Sequence, residues 1–388
     1  MEWHIISGDY PPKPGGVSDY TYRLAQALAR ADEDVHVWTA AYRDDVPFIK
    51  GVEVHLLPSR FGLPWLRALS RGLPENGREG TILVQYVPHM YGWKAMNLAF
   101  CFWMALQKKK RKIWVMFHEV AFPFMSGQPL KHSLLAAVHR VMAWIVLRSA
   151  SKSFTSIDSY RTLLLRLAPP RASVGFMRLF SNVPYNSSLN DPDGCQFEMV
   201  KTGPTLGMFS SFGSDICALL DANLPDVLEN SSANVLLVGP GANFIQKFTQ
   251  RFPQFKDRLF TTGRVSALSA GSYIQSCDVL LQLYPDGASG ARGTFVAALA
   301  SGVPVVTTAG PQTEALLISG GAIALAENNP KSIATLIQHL LTDTVRARRI
   351  GAAGQRLYEN HFDIDIAVAT LLGKKPTKTA LRRVARSA

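Results

Sequence analysis

A glycine-rich stretch carrying one arginine, YPDGASGARGT (Tyr284–Thr294), is the part of this chain best suited to hold an anion. A short apolar run ends at Tyr284, a polar loop follows, and a helix of small and apolar residues is expected from about Thr294 to Ala300. The first turn of a helix offers unpaired N–H groups and partial positive charge. Arg292 adds a full planar charge that can grip two phosphate oxygens. Ser289, Gly290, Gly293 and Thr294 would place backbone amides and hydroxyls around the same anion. The competing reading is an Arg292 that pairs with a surface carboxylate.

Two other places have related chemistry. The segment DYPPKPGGVSDYTYRLAQALA follows the apolar run Trp3–Ile6, and its Gly15 and Gly16 stand just ahead of an amphipathic helix. Lacking Cβ, they let backbone approach a ligand closely, with Ser18 or Asp19 as a helix cap, so a diphosphate grip and an ordinary strand-to-helix turn both fit. In FHEV, His118 stands at the end of the apolar run Ile113–Phe117, beside Glu119. There it is either a structural histidine or a group facing a ligand. GPGAN, after Asn234–Val238, carries G-x-G but lacks the third glycine of a dinucleotide fingerprint and sits on the second strand of its unit.

The elements that must position these loops alternate along the chain. WHIIS, DVHVWTA, VEVHLLP, GTILVQYV and KIWVMFH read as strands, and SFT as a sixth. Helical patterns cover Tyr20–Ala31, Lys94–Leu106, Leu130–Ser149 and Ser159–Leu167. Near-continuous apolar strands separated by helices indicate a parallel sheet covered on both faces. From Ala168 to Gly203 the chain turns rich in Pro, Asn, Asp and Gly, which is linker composition. The alternation then restarts with TLGMFSS, NVLLVG, RLFTTG, VLLQLY, VPVVTT and AIALA, followed by helices at Lys331–Leu341 and Thr344–Asn360. At 388 residues two domains are expected. They are residues 1–185 and 186–362, two Rossmann-like doubly wound α/β units facing a cleft, with 363–388 packing back on the first. Ligands of such sheets bind beyond the carboxyl ends of the strands.

The net charge of +12, from 41 Lys and Arg against 29 Asp and Glu, favours an anionic partner. No basic segment is interleaved with aromatics, so nucleic acid is not expected. The densest basic run, Lys108, Lys109, Lys110, Arg111 and Lys112, directly follows the apolar AMNLAFCFWMALQ. That juxtaposition suits either contact with an anionic membrane surface or a core helix whose C-terminal dipole attracts lysines. The apolar windows Ala95–Leu106 and Leu134–Leu147 are shorter than the roughly 20 residues of a span, and no signal peptide is read. The four cysteines show no CxxC pairing, which argues against a zinc site or a disulfide framework and suits a reducing compartment, the cytoplasm.

In this order the pieces resemble the family 4 retaining glycosyltransferases of the GT-B fold, and among them bacterial enzymes of polysaccharide biosynthesis. The resemblance runs over nearly the whole chain, through PPKPGGVSDYTYRLAQALA, ILVQYVPHMYGWK, FHEV, SNVP, TLGMFSSFG, FTTGRVS, CDVLLQLYPDGASGARGT, ALASGVPVVTTAGPQTE and RRIGAAGQRLYENHF. It implies a nucleotide-sugar donor on the second domain and an acceptor on the first. It further implies that Gly15 and Gly16 touch the diphosphate or sugar, that His118 faces the donor sugar, and that Gly263, Arg264 and Val265 lie at the nucleobase.

The chain departs from that family at telling positions. The usual two glutamates, eight residues apart, align with Ser289 and Ala297. The Arg and Lys that often follow the first strand of the second domain are replaced by FSSFGSD, leaving Ser210, Ser211 and Gly213 as neutral donors. Arg292 stands where it could restore the lost charge. The expected activity is retaining transfer of a hexose, from a UDP-sugar in the first instance, to a bacterial glycan or lipid-linked acceptor. No cofactor or metal is expected, since no DxD precedes an apolar strand, and helix ends, glycine-loop amides and Arg292 would carry the leaving charge. The alternatives are a non-catalytic nucleotide-sugar or glycan-binding subunit and a nucleotide-sugar epimerase of the same fold. The expected location is cytoplasmic, including the inner face of the membrane.

Overall fold

The computed structural model describes residues 1–40, 45–58, 61–74, 80–168, 173–185 and 203–375. The chain divides into two compact units, Met1–Arg178 with the described residues from Ala367, and Leu179–Ile366. This division falls earlier than the break read at residue 185. Ser181 N donates to the Tyr358 hydroxyl at 3.4 Å and the Tyr185 hydroxyl to Asp363, so the segment is hydrogen-bonded within the second unit.

In the first unit the strands are β1 (Glu2–Ser7), β2 (Asp34–Ala40), β3 (Val52–Leu57), β4 (Gly80–Tyr86), β5 (Lys112–Phe117), β6 (Lys152–Thr155) and β7 (Val174–Phe176). Its helices are α1 (Gly16–Arg30), α2 (Leu63–Gly72), α3 (Leu98–Gln107), α4 (Leu130–Ser149) and α5 (Asp158–Leu167). All strand pairs are parallel, in the order β3-β2-β1-β4-β5-β6-β7. The runs forming β1, β4 and β5 are buried almost throughout, as a sheet covered on both faces requires. The core gathers Trp38, Trp65, Tyr86, Tyr91, Phe100 and Phe117.

The second unit holds β8 (Thr205–Phe209), β9 (Asn234–Val238), β10 (Leu259–Gly263), β11 (Val279–Leu281), β12 (Val305–Thr308) and β13 (Ala324–Ala326). Its helices are α6 (Ser214–Glu229), α7 (Ala242–Arg251), α8 (Ala267–Gln275), α9 (Gly293–Ala300), α10 (Ala315–Ile318), α11 (Pro330–Thr342) and α12 (Thr344–His361), and α13 (Ile364–Leu372) crosses the division. The parallel order is β10-β9-β8-β11-β12-β13. Both sheets therefore reverse winding beside their first strand, at β1/β4 and at β8/β11, where doubly wound sheets hold ligands.

Two local details differ from the sequence expectation. The helix expected from Lys94 starts at Leu98, after two short 3-10 turns in which Lys94 and Ala95 have φ of 51° and 68°. Buried Asn97 sets that start. Its Oδ1 accepts from Phe100 N at 2.9 Å while Nδ2 donates to Phe61 O and Tyr91 O. Strand β7 lies inside the segment read as linker, because three residues suffice to extend the sheet beside β6.

Candidate active site

At the carboxyl end of β1, Ser7 Oγ donates to Asp9 O and accepts from Thr21 Oγ1 of α1, tying the loop to the helix. Gly8 is a packing requirement, since a Cβ there would lie 2.7 Å from Met90 Cβ. Gly15, rather than Ser18 or Asp19, is the N-cap of α1. Ser18 is buried, its Oγ donating to Lys13 O at 2.6 Å, and Asp19 lies in the first turn with its pKa raised by burial. A Cβ on Gly16 would meet nothing within 4 Å, and its φ is not left-handed. Packing thus leaves the choice of glycine unexplained, and the expectation from the sequence, close approach of a ligand, would account for it. Accordingly, Gly16→Ala is expected to melt at the same or a higher temperature, with ~0.4–1 kcal/mol of added stability. Its kcat/KM should fall about tenfold or more as the new methyl displaces the ligand. A melting curve beside a turnover assay checks both signs.

His118 stands at the carboxyl end of β5, where its backbone N donates to Tyr86 O. Its ring contacts the Tyr20 ring of α1 edge-on, centroids 4.8 Å apart, so the glycine loop and the histidine are brought together. Nε2 lies 2.7 Å from Gln85 Oε1 on the neighbouring β4. With that oxygen as acceptor Nε2 carries the proton, which leaves Nδ1 as an acceptor. Burial lowers the His118 pKa to about 3, so the ring is neutral at any physiological pH. Beside it, Glu119 pairs with His89 at 3.3 Å, and their hydrogen bond raises the His89 pKa.

Gln85 was not singled out in the sequence. It is fully buried, and its Nε2 has no hydrogen-bond partner among the described residues. A buried amide left half-satisfied costs about 1–3 kcal/mol, and that cost is offset if the amide sets the tautomer of a working histidine. The available signal was a glutamine inside the otherwise apolar run TILVQYV. The second unit repeats it, where Gln282 in VLLQLY, its amide oriented to bond Phe209 N and O, donates to the Tyr284 hydroxyl at 2.9 Å.

In the second unit the loops after β8 and β11 meet at the switch point. Ser210, Phe212, Gln282 and Tyr284 line one narrow crevice there. Ser210 Oγ accepts from Phe212 N at 3.1 Å, and Phe212 takes a left-handed φ of 51°. Ser211 is exposed, and Gly213, exposed and with nothing near its Cβ position, caps α6. Gly239 of GPGAN is accounted for by packing, since its φ is 128° and a Cβ would lie 2.2 Å from Ser210 O.

The arginine loop splits into an inward and an outward half. Ser289 is fully buried, and Gly290 N donates to Glu314 Oε2 at 2.8 Å with a Cβ position 2.7 Å from the Phe362 ring. The Thr294 hydroxyl bonds Tyr284 Oη at 2.8 Å, and Ala297 is buried in α9. Arg292 and Gly293 face outward at the start of α9, where Gly293 has nothing within 4 Å of its Cβ position. The Arg292 guanidinium lies 5.4 Å from the Tyr284 ring centroid and 3.4 Å from Asp286 Oδ2. That ion pair is long and half-exposed, worth about 0–1 kcal/mol, so a diphosphate would displace it readily.

Gly263, at the end of β10, has φ 67°, and Arg264 and Val265 are exposed just beyond it. Thr262 Oγ1 accepts from Gly239 N at 3.0 Å and Thr261 Oγ1 donates to Gly239 O at 2.8 Å, which fixes this loop against its neighbour. With strands ~4.8 Å apart, the β10 loop lies ~10 Å from the β8 loop and ~14 Å from the β11 loop. A nucleoside diphosphate spans that range.

Residues 203–343 match the family model of the glycosyl transferases group 1. Among solved structures, the chain is similar to sucrose-phosphate synthase from Thermosynechococcus elongatus, with 16% identity over 100% of both chains and a TM-score of 0.71. The fold is that of GT-B glycosyltransferases. HepE from Anabaena, solved with UDP and glucose, is 17% identical over 96% of this chain and 98% of its own, with a TM-score of 0.66. The UDP-forming trehalose-phosphate synthase of Burkholderia vietnamiensis shares 10% identity over 96% and 98%, at a TM-score of 0.68. No curated protein sequence matches the chain. In this GT-B chain the group 1 match begins just before β8 and ends after α11, so it takes in every candidate donor loop of the second unit.

Proposed function

We propose that this GT-B chain is a retaining hexosyltransferase that uses a nucleotide diphosphate sugar, UDP-sugar foremost, without a catalytic metal, and glycosylates a bacterial glycan or lipid-linked acceptor. The observation that carries this reading is the alignment of three loops, Ser210–Gly213, Gly263–Val265 and the outward half of the arginine loop, at the spacing of a nucleoside diphosphate. HepE, solved with UDP and glucose, and the UDP-forming trehalose-phosphate synthase share the fold. In this reading Arg292 and the first turns of α6 and α9 stabilise the charge growing on the departing diphosphate. Neutral His118 accepts a hydrogen bond at Nδ1 from a hydroxyl of the donor sugar, which orients the ring. The released phosphate takes the acceptor's proton. Calorimetric titration with UDP, followed by turnover of a panel of UDP- and GDP-sugars, tests it. Failure to bind any nucleoside diphosphate would remove the proposal.

One observation favours a second reading. The two family glutamate positions are Ser289 and Ala297, both buried and without charge. A subunit that binds the nucleotide sugar without transferring it would show UDP affinity and no hydrolysis of any UDP-sugar.

The acceptor side of the proposal includes a membrane surface. Phe102 and Leu106 of α3 and Val141 and Trp144 of α4 are 56%, 74%, 50% and 44% exposed. Lys108 reaches the Arg148 carbonyl at the end of α4, and Arg148 covers the Trp144 ring, so lysines 108–110 rim this apolar strip. Two members of the basic run are engaged elsewhere. Arg111 donates to Ser70 O, Leu73 O and Pro74 O at the end of α2, and Lys112 lies over the Trp114 ring. Helix α4, at 20 residues, is long and apolar enough to cross a bilayer, but its Ala136, Met142, Ala143 and Val146 are buried in the first unit's core. At about 1 kcal/mol per basic residue near an anionic surface, reversing all three lysines to glutamate should weaken binding to phosphatidylglycerol vesicles by more than tenfold. Co-sedimentation checks it, with UDP affinity unchanged.

A further inference from the structure

We infer that the first unit carries a divalent transition-metal site, of Zn2+ chemistry, formed by His36, Glu53 and His55 on the exposed edge of its sheet. Nothing in the transfer reaction requires it, and its residues, third in β2 and second and fourth in β3, lie within the strands rather than in the loops at their carboxyl ends.

The parallel register builds the cluster. His36 pairs with Glu53 and Trp38 with His55 across β2 and β3, and alternate residues of a strand share a face. All three side chains thus converge, each offering one ligand atom, with those atoms within 4.8 Å of one another. His36 Nδ1 lies 2.9 Å from His55 Nε2 and 3.5 Å from Glu53 Oε2. Donors bound to one tetrahedral ion at 2.0–2.1 Å sit about 3.3 Å apart, so little movement would admit it. Two imidazoles and a carboxylate suit a borderline ion rather than Ca2+ or Mg2+.

A second observation concerns the far sides of the rings. The other nitrogen of His36, Nε2, faces Asp34 Oδ1 at 3.5 Å and Glu2 Oε1 at 3.7 Å, while His55 Nδ1 lies 3.7 Å from Glu53 Oε1. Carboxylates behind metal-binding histidines fix the tautomer that leaves the ligating nitrogen bare. The rings are also held in place. His55 stacks on Trp38 with centroids 3.9 Å apart, and His36 stacks between His4 and His55 at 5.0 and 5.2 Å. Glu53 is 66% exposed, which leaves a coordination position open to water. A bare hydrogen bond between the two histidines explains the 2.9 Å contact but not the carboxylates of Asp34 and Glu53 on opposite sides of the His36 ring.

The test is titration of tag-free, full-length protein with ZnCl2 by calorimetry, alongside thermal melting with ZnCl2 and with EDTA. One equivalent is expected to bind and to raise the melting temperature. His36→Gln and His55→Gln, judged folded by their melting in EDTA, should abolish both effects, and Asp34→Asn should weaken binding by about tenfold. Absence of binding to the wild-type chain, or equal binding by the His36→Gln/His55→Gln double variant, overturns the assignment. Turnover of a UDP-sugar in EDTA is expected to be unchanged, which keeps this result separate from the functional proposal.

Discussion

Replacing His118 by alanine is expected to lower kcat for sugar transfer by about 10²–10³-fold while UDP affinity stays within about twofold of wild type. That magnitude is typical of losing one preorganised hydrogen-bonding group that acts on the reacting centre. The split arises because the proposed His118 contact is to the donor sugar, which UDP lacks. Burial holds the ring neutral, with a pKa of about 3, so no limb of the pH–rate profile between about pH 5 and 8 belongs to it. Stability carries the signature instead. The unfolded histidine titrates near 6.5 and the folded one far lower, so between those values the unfolded chain binds the extra proton. The contribution is present in full above pH 6.5 and is lost as pH falls toward 3. His4, lowered to about 4 chiefly by burial, acts in the same direction. Urea unfolding at about pH 7 and pH 5 should show lower stability at the acid value, and His118→Gln should shrink the difference. An alanine variant with wild-type kcat would remove His118 from the reacting centre.

The alternation of apolar runs and helical patterns was enough to read two parallel α/β units, because strands buried on both faces have to be continuously apolar. Strand β7 and helix α2 escaped that test. Three residues at a sheet edge carry little pattern, and α2 begins with Leu-Pro-Trp inside a segment that reads as irregular. The candidate site was legible where local sequence alone proposes it. Gly16, Gly213 and Gly293 each stand at the start of a helix, and no neighbour demands a glycine at any of them. Burial was less legible. Ser289, Gly290 and Thr294 lie in the same short loop as Arg292, yet Ser289 is buried, Gly290 turns inward to Glu314 and Phe362, and Thr294 to Tyr284, partners at or beyond the far ends of the loop. The His36–Glu53–His55 cluster was invisible for the same reason. It exists only through the register between β2 and β3, which no single segment encodes.

Removing the charge of Arg292 is expected to weaken UDP binding by about 1–3 kcal/mol, or roughly 5- to 150-fold, the range for losing a charged hydrogen-bonding partner. Two features of the loop set where in that range the value falls. Asp286 already holds the guanidinium at 3.4 Å, so part of the interaction with a diphosphate replaces an existing pair. That pair is half-exposed and weak, so the replacement costs at most about 1 kcal/mol. Asp286→Asn should therefore strengthen UDP binding by up to about fivefold, and in an Arg292→Ala background it should do more, since a bare carboxylate beside the anion would be removed. The double-mutant cycle measures the coupling directly. Arg292→Lys should recover only part of the affinity, because an ammonium cannot grip two phosphate oxygens in one plane. Calorimetry with UDP and with uridine separates the effects, as uridine has no diphosphate and should bind all four variants alike. Equal UDP affinity in wild type and Arg292→Ala would leave the helix N-termini as the only charge that the described residues of these loops bring to the leaving group. The partial positive ends of α6 and α9 would then have to hold a diphosphate without a full countercharge, at about 0.3–1 kcal/mol each. That is too little to offset removing the diphosphate's charge from water, so the transfer reading would fail with it.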